Sequence, residues 1–253
     1  MILSLRKFSK FLRLLWHPVF RTGLLAGVAA TIEHDGAFSG LEFATILDVG
    51  ANRGQFLLLC LSKWPRSLTH CFEPIPGEGA YLSRIKRQVR GSRVLLHAFA
   101  LGDRSRSADL HLGSRLDSSS ILALGPSQEE VFGVHEVGTL RIDVKRLDEC
   151  GIAIVAPALL KIDAQGFEYE ILVGAGATLD LFDYIYVEVS NISFYENQRH
   201  ADEVEQYIVD RGFSLVANFN ELKNKAGAVV QKDVLFRRQV LQERIDRSLT
   251  SAV

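Results

Sequence analysis

The segment Ile46-Leu-Asp-Val-Gly-Ala-Asn-Arg-Gly-Gln-Phe56 constrains the chain more than any other. An apolar run ends in Asp48, Gly50 follows, Gly54 closes a short polar stretch, and a second apolar run begins at Phe56. That order predicts a buried parallel strand, a tight turn and the start of a helix. Glycine permits the sharp turn and a close approach by a ligand. The opening turn of a helix presents N–H groups without carbonyl partners. In an α/β sheet, such a turn is where a nucleotide-like cofactor is held.

The spacing separates the candidate cofactors. A phosphate-binding P-loop ends in Gly-Lys-Ser/Thr, which is absent here, so the turn is not an ATP site. A dinucleotide turn uses G-x-G-x-x-G and leaves its backbone open to pyrophosphate. Here Asn52 stands where the middle glycine would be, and Asp48 precedes the turn. A carboxylate there repels pyrophosphate, yet it can orient the amino-acid portion of S-adenosylmethionine, directly or through water. The pattern favours S-adenosylmethionine over NAD. Glu73 ends the next predicted strand, where its two oxygens suit a pair of ribose hydroxyls; the competing role is a helix cap. Asp103, in Ala100-Leu-Gly-Asp103, either accepts from an adenine amino group or forms a turn with Gly102. The candidate cofactor-binding residues are therefore Asp48, Gly50, Asn52, Gly54, Glu73 and Asp103.

The remaining pattern is α/β. Strands are expected at 45–49, 68–73, 93–98, 158–162 and 184–189, with helices at 54–63, 78–89, 168–173 and 201–211. This alternation implies a doubly wound, mostly parallel sheet. The runs 213–219 and 233–237 have no room for a crossover helix between them and predict an antiparallel edge hairpin. Three parts are expected: a basic N-terminal helical extension (1–40), a main domain (41–240) and a C-terminal tail (241–253). Between the third and fourth strands, an insert at about 104–157 contains two alternating runs, 108–112 and 139–144. Long inserts at the ligand end of a sheet build pockets and lids.

Composition narrows the partners. A formal net charge of −1 gives the whole molecule no bias toward nucleic acid. The three cysteines, Cys60, Cys71 and Cys150, show no paired metal spacing, and Cys60 and Cys71, in apolar contexts, suit buried thiols in a reducing, cytoplasmic setting. The histidines are scattered, so no metal is expected. Arg6, Lys7, Lys10, Arg13 and Arg21 all precede the first acid, Glu33, and Leu5, Phe8, Phe11, Leu12 and Leu15 recur at helical spacing. Residues 1–20 then form a helix that packs on the main domain or lies peripherally on the anionic inner membrane surface. The apolar run Gly23–Ile32 is shorter than the about 20 residues a bilayer crossing needs. Basic residues recurring to position 21 and the Trp16-His17-Pro18 break argue against a secretory signal.

Asp48-Val-Gly-Ala-Asn-Arg-Gly-Gln-Phe56, Phe72-Glu-Pro-Ile-Pro76, Ala100-Leu-Gly-Asp103, Ser118-Ser-Ser-Ile-Leu122 and Leu160-Lys-Ile-Asp-Ala-Gln-Gly-Phe-Glu168, in that order, resemble the successive motifs of FkbM-type methyltransferases. The resemblance covers roughly residues 40–240. It implies a class I methyltransferase (Rossmann-like) fold with a seven-stranded sheet, S-adenosylmethionine as cofactor, and O-methylation of a hydroxyl on a saccharide or natural product. Ala164 departs from the pattern, standing where many members carry a branched apolar residue. The first forty residues lie outside the resemblance.

Two residues are candidate bases. Asp163 ends the fourth strand, near the point where open sheets bind ligands; it acts as base or acceptor-positioning group, supports the cofactor, or holds the Gln165-Gly166 turn. His135, in the insert, is the other. Ser119 and Ser120 line an acceptor pocket or form a polar turn. Glu168 caps the following helix or approaches the acceptor. Glu188 and Asn191 fall on the ligand side of the fifth strand and are expected to contact the acceptor. Two rival readings remain: a methyltransferase acting on RNA or protein, which lacks the expected basic face, and a non-catalytic binding protein on the same fold. Neither acceptor identity nor oligomeric state is legible.

Overall fold

A computed structural model describes residues 16–89 and 91–239. The chain enters through helix α1 (Pro18–Leu25), opened by proline at its first position, and a 3-10 segment, Ile32–Phe38. The first parallel units follow: β1 (Thr45–Val49), α2 (Gln55–Lys63), β2 (Leu68–Phe72), α3 (Pro76–Gln88) and β3 (Arg93–His97). Helix α3 starts two residues before the expected Glu78, because Pro76 supplies its first turn.

The insert holds β4 (Ala100–Leu101), β5 (Arg106–Gly113), α4 (Pro126–Phe132) and β6 (Glu136–Lys145). The main sheet resumes with β7 (Ala158–Ile162), α5 (Glu168–Ala175), β8 (Tyr184–Ser190), α6 (Ala201–Asp210), β9 (Phe213–Lys223) and β10 (Val229–Arg238).

The seven-stranded sheet runs β3-β2-β1-β7-β8-β10-β9. Neighbours from β3 to β8 are parallel, while β10 runs antiparallel to both β8 and β9. The expected doubly wound sheet with an antiparallel edge hairpin is thus observed. The two central strands, β1 and β7, are buried at every position, as strands with both faces covered must be. Leu47, Val49, Leu160 and Ile162 face α5 and α6 through Ile171, Leu172, Val204 and Ile208. Ile46 and Leu159 face the other way, toward Phe56 and Leu59 of α2 and Phe38 of the 3-10 segment. Each fully buried Leu or Ile of this kind contributes roughly 1.5–3 kcal/mol.

Asp48 and Lys161 are opposite each other in the β1–β7 register. On alternating strands, both must share the face of Ile46 and Leu159. A buried acid and a buried base in the two innermost strands are tolerable only as a pair.

The hairpin strands extend past the expected 213–219 and 233–237. The outer strand β9 is largely exposed, so Leu222 and Lys223 read as loop in the sequence although they pair with Gln231 and Val229. The insert forms its own sheet, β4-β6-β5, around Ala108, Leu110, Ile142 and Val144. Isolated bridges His111–Ser120 and Leu124–Tyr195 join its connecting loop to β5 and to the loop after β8. No helix among the described residues is long and apolar enough to cross a membrane. The basic amphipathic pattern at 2–15 and the tail 241–253 lie outside the described residues.

Candidate active site

β1, β2 and β7 end side by side, and the turns that leave them line a cavity of about 340 Å³. That size lies within the range of small-molecule sites. The β1 turn contributes Gly50, Ala51 and Asn52, the β2 end Glu73, the β7 end Lys161, Asp163 and Gln165, and β8 Glu188. The insert adds Arg115 through Ile121 and Gln128, and the N-terminal segment adds Thr31 and His34.

The glycine turn is built by internal packing. Gly50 has φ +74°, and a Cβ there would sit 1.8 Å from the carbonyl oxygen of Asp163. The close approach anticipated for a ligand is therefore made by the β7 backbone. Gly54 has φ +97° and abuts Leu82 and Ile85 of α3. Asn52 is left-handed at φ 48°, a conformation asparagine tolerates better than most residues. Its backbone N–H donates to Glu73 Oε2 at 2.8 Å, and Ile75 N–H donates to Glu73 Oε1 at 2.8 Å. One carboxylate thus ties the β1 turn to the β2 exit, and each oxygen retains a lone pair for a further donor. Burial is the main cause lifting the Glu73 carboxyl to about 7, partly offset by these two N–H donors.

Asp48 does not line the cavity. It is fully buried beneath the turn, with Oδ1 3.0 Å from Lys161 Nζ. Direct contact between Asp48 and a ligand in the cavity is therefore ruled out by position. Lys161, a residue missed in the sequence, occupies the place between: its Nζ also donates to the Gly50 carbonyl at 3.3 Å and lies 3.7 Å from Asp163 Oδ2. Burial lowers the Lys161 ammonium's affinity for its proton, but Asp48 and Asp163 outweigh it and hold the proton more tightly than usual. Strand alternation puts Lys161 and Asp163 on one face. What hid its role was the absence, in one dimension, of the β1–β7 register.

Asp163 lines the cavity and is partly exposed, its Oδ1 accepting from Gln165 Nε2 at 2.7 Å. Glu188 accepts from the same amide nitrogen at 3.3 Å. Burial, then the charges of Asp163, Asp233 and Glu168, push the Glu188 carboxyl well above the usual range. Tyr195, after β8, lies 2.9 Å from Gln165 Oε1 and 3.0 Å from the Ser118 carbonyl, with its hydroxyl as donor. It is the link that holds the insert against the β7 turn.

Ser119 and Ser120 both line the cavity, and both accept backbone N–H groups, from Gly113 and Leu122. The turn-forming and pocket-lining roles therefore coexist, and each hydroxyl proton remains available for donation. Two residues of the cavity lining, Gln128 and Thr31, each carry a buried side-chain oxygen, Oε1 and Oγ1, without a hydrogen-bond partner among the described residues. Such atoms carry a desolvation cost that a bound polar ligand relieves. Neither was singled out in the sequence, since an isolated Gln or Thr has no motif.

Besides Asp48 and Gly54, four further candidates are not brought to the cavity. His135 is exposed, and its backbone pairs with Ser114. Asp103 turns toward Arg104 at 3.6 Å, while its carbonyl accepts from Arg146. Asn191 is exposed and donates to the Val229 carbonyl, anchoring the start of β10. Glu168 is buried, with Oε1 accepting from Ala164 N–H at 2.9 Å and Gly166 N–H at 3.1 Å. It holds the β7 turn and does not line the cavity. No cluster of three or more His, Cys, Asp or Glu arranged for a metal occurs among the described residues.

Burial is the leading cause that raises the Glu168 carboxyl to about 7, against an ordinary 4.5. The native state then holds a proton that the unfolded chain releases, so stability falls as pH rises from about 4.5 to 7. Gln at this position can accept the same two N–H groups without the charge. Glu168→Gln is expected to match the parent near pH 5 and to exceed it by roughly 2 kcal/mol at pH 8. Urea unfolding across that range checks this; a pH-independent difference contradicts it.

Comparisons with known proteins bear on the chemistry. A model described as the methyltransferase FkbM domain matches residues 48–215. The 2-O-methyltransferase NoeI of Sinorhizobium fredii is 30% identical over 185 residues, 69% of this chain and 74% of that protein. Methyltransferase 1 of Beauveria bassiana is 29% identical over 158 residues, 57% of this chain and 64% of that protein. A solved structure of magnesium protoporphyrin IX methyltransferase from Synechocystis PCC 6803 with bound SAM covers 92% of this chain and 91% of its own, at 9% identity and TM-score 0.49. That last likeness is too loose to argue from.

Proposed function

The chain belongs to the FkbM methyltransferase family, and from that premise we propose that it transfers a methyl group from S-adenosylmethionine to a hydroxyl of a saccharide or related natural product. The observation that carries the cofactor half is Glu73. It is a buried carboxylate at the cavity wall, fixed by two backbone N–H groups and able to accept from two further donors. Vicinal ribose hydroxyls are the matching group. The first N–H groups of α2 have no helical carbonyl ahead of them and favour a negative group, here the amino-acid carboxylate of the cofactor. The Asp48–Lys161 pair fixes this turn from below. When bound, S-adenosylmethionine supplies an electrophilic methyl group on a positively charged sulfur.

The acceptor half rests on the cavity's polar lining. Gln128 Oε1 and Thr31 Oγ1 await partners, and Ser119 and Ser120 have protons to donate. A polyhydroxylated ligand satisfies such a set better than an aromatic or amine acceptor. Asp163 and Glu188, braced through Gln165, position the acceptor. The similarity to a 2-O-methyltransferase supports oxygen as the methylated atom.

Two measurements test this reading. Calorimetry with adenosylhomocysteine is expected to show micromolar binding, and Glu73→Ala to weaken it about 10- to 100-fold, or about 1.4–2.8 kcal/mol. Unchanged affinity in that variant would remove the ribose role. Labelled methyl transfer into fractionated cell extract is expected to mark the saccharide or small-metabolite fraction. Label appearing in RNA or protein overturns the acceptor class, and no transfer to any fraction favours the binding-protein reading.

A further inference from the structure

We propose that His34, in the N-terminal segment outside the matched family domain, is the general base of this site, held in its working tautomer by Tyr186 and Asp233. The proposal rests on the methyl-transfer reading above and names the residue that takes the acceptor's proton.

His34 lines the cavity together with Thr31, Asp163 and Glu188. Its Nδ1 is 2.9 Å from the Tyr186 hydroxyl and 3.3 Å from Asp233 Oδ2. The Tyr186 proton is committed to Asp233 Oδ2 at 2.9 Å, so the phenolic oxygen faces Nδ1 as an acceptor. Asn220 Nδ2 donates to the same carboxylate oxygen at 2.7 Å and lies 3.1 Å from Nδ1. A carboxylate and a phenolic acceptor together favour a proton on Nδ1. Nε2 then carries the lone pair, and it has no hydrogen-bond partner among the described residues.

The ring is also fixed in orientation. It packs edge-on against both Phe56 of α2 and Tyr186 of β8, with centroids 6.0 and 5.6 Å away. A base oriented by a buried carboxylate, on a side chain that lines the cavity and leaves one ring nitrogen unpaired among the described residues, has the arrangement that nucleophile activation requires. Asp163 is less suited: one oxygen accepts from Gln165 and the other is beside the Lys161 ammonium. Tyr186, Asp233 and Asp48 are the titratable groups that face or sense His34 from β8, β10 and β1.

The step balances simply. The acceptor O–H proton passes to Nε2, the freed oxygen pair forms the new carbon–oxygen bond, and the carbon–sulfur bond of the sulfonium donor breaks with its pair remaining on sulfur. The products are a methyl ether, a neutral thioether and an imidazolium, which returns its proton to water.

The test has two arms. In nitrogen-15 NMR of histidine-labelled full chain, His34 is expected as the Nδ1–H tautomer at pH 8, and Asp233→Asn is expected to shift it toward Nε2–H. A resting Nε2–H tautomer, which Asn220 would favour, overturns the proposal. In the second arm, labelled S-adenosylmethionine is supplied with a panel of methyl glycosides. His34→Gln is expected to lower kcat about 100-fold, to leave adenosylhomocysteine affinity within threefold, and to lack the loss of rate toward acid pH that a neutral imidazole base predicts for the parent. Asp233→Asn, a positioning change, is expected to lower kcat about tenfold and to move that acid limb. A kcat within threefold of the parent, with the acid limb kept, rejects His34 as base. If the parent methylates no glycoside, the saccharide reading fails, and the tautomer alone then decides whether His34 is poised as a base.

Discussion

Lys161→Met is expected to destabilise the fold by about 3–5 kcal/mol, the cost of leaving a buried charge unpaired. Asp48 is fully buried, and Lys161 Nζ is the only cation within ion-pairing distance of it among the described residues. Burial raises the Asp48 carboxyl, with the Lys161 charge pulling against it. Removing the ammonium leaves a carboxylate between the two central strands with nothing to offset its desolvation. The loss propagates, because the same ammonium donates to the Gly50 carbonyl and faces Asp163. The double variant Asp48→Asn/Lys161→Met is expected to recover more than half of the stability, since replacing both partners removes the unpaired charge. Guanidinium unfolding of the parent, both single variants and the double variant measures this coupling. A Lys161→Met midpoint within 1 kcal/mol of the parent refutes the central role given to the pair.

Gly50→Ala is expected to cost about 2–5 kcal/mol and to abolish measurable adenosylhomocysteine binding. Two penalties add. At φ +74° a Cβ is strained by roughly 1–2 kcal/mol. It would also stand 1.8 Å from the Asp163 carbonyl oxygen, a backbone atom that no rotamer change can move aside. Relief requires β1 and β7 to separate at the point where both feed the cavity. Gly40→Ala is the control: its φ of +72° is nearly the same, but nothing lies within 4 Å of its added Cβ. Gly40→Ala is expected to cost only about 1 kcal/mol and to leave binding intact. Equal losses at the two positions would mean that strain alone, and not the β1–β7 approach, explains Gly50.

Glu73 shows how well a strand-end acid can be located in one dimension. The sequence marks the end of a strand, and parallel strands in an α/β sheet deliver their ends to a common edge. His135 and Asp103 show the limit. Both occupy polar loops of the right composition, but where a loop residue sits depends on partners that carry no periodicity: Ser114 and Arg146 bond the backbones of His135 and Asp103, and Arg104 faces the Asp103 carboxylate. Glu168 was ambiguous for a different reason. A carboxylate at the start of a helix can serve the helix or the turn before it, and only the positions of the Ala164 and Gly166 N–H groups decide for the turn.

By itself, the amino-acid sequence determined the alternation of strands and helices, the edge hairpin, the glycine turn and the motif order that marks the family. These are local or periodic properties: apolar spacing follows the geometry of each element, and glycine marks backbone conformations that other residues resist. The tertiary structure alone decided what each polar residue meets. It set Lys161 opposite Asp48 through register, assigned the closeness at Gly50 to the β7 backbone, and brought His34 of the N-terminal segment beside Asp233 near the chain's other end. Charge pairs and cavity walls form between residues far apart in sequence, and only a folded sheet fixes those distances.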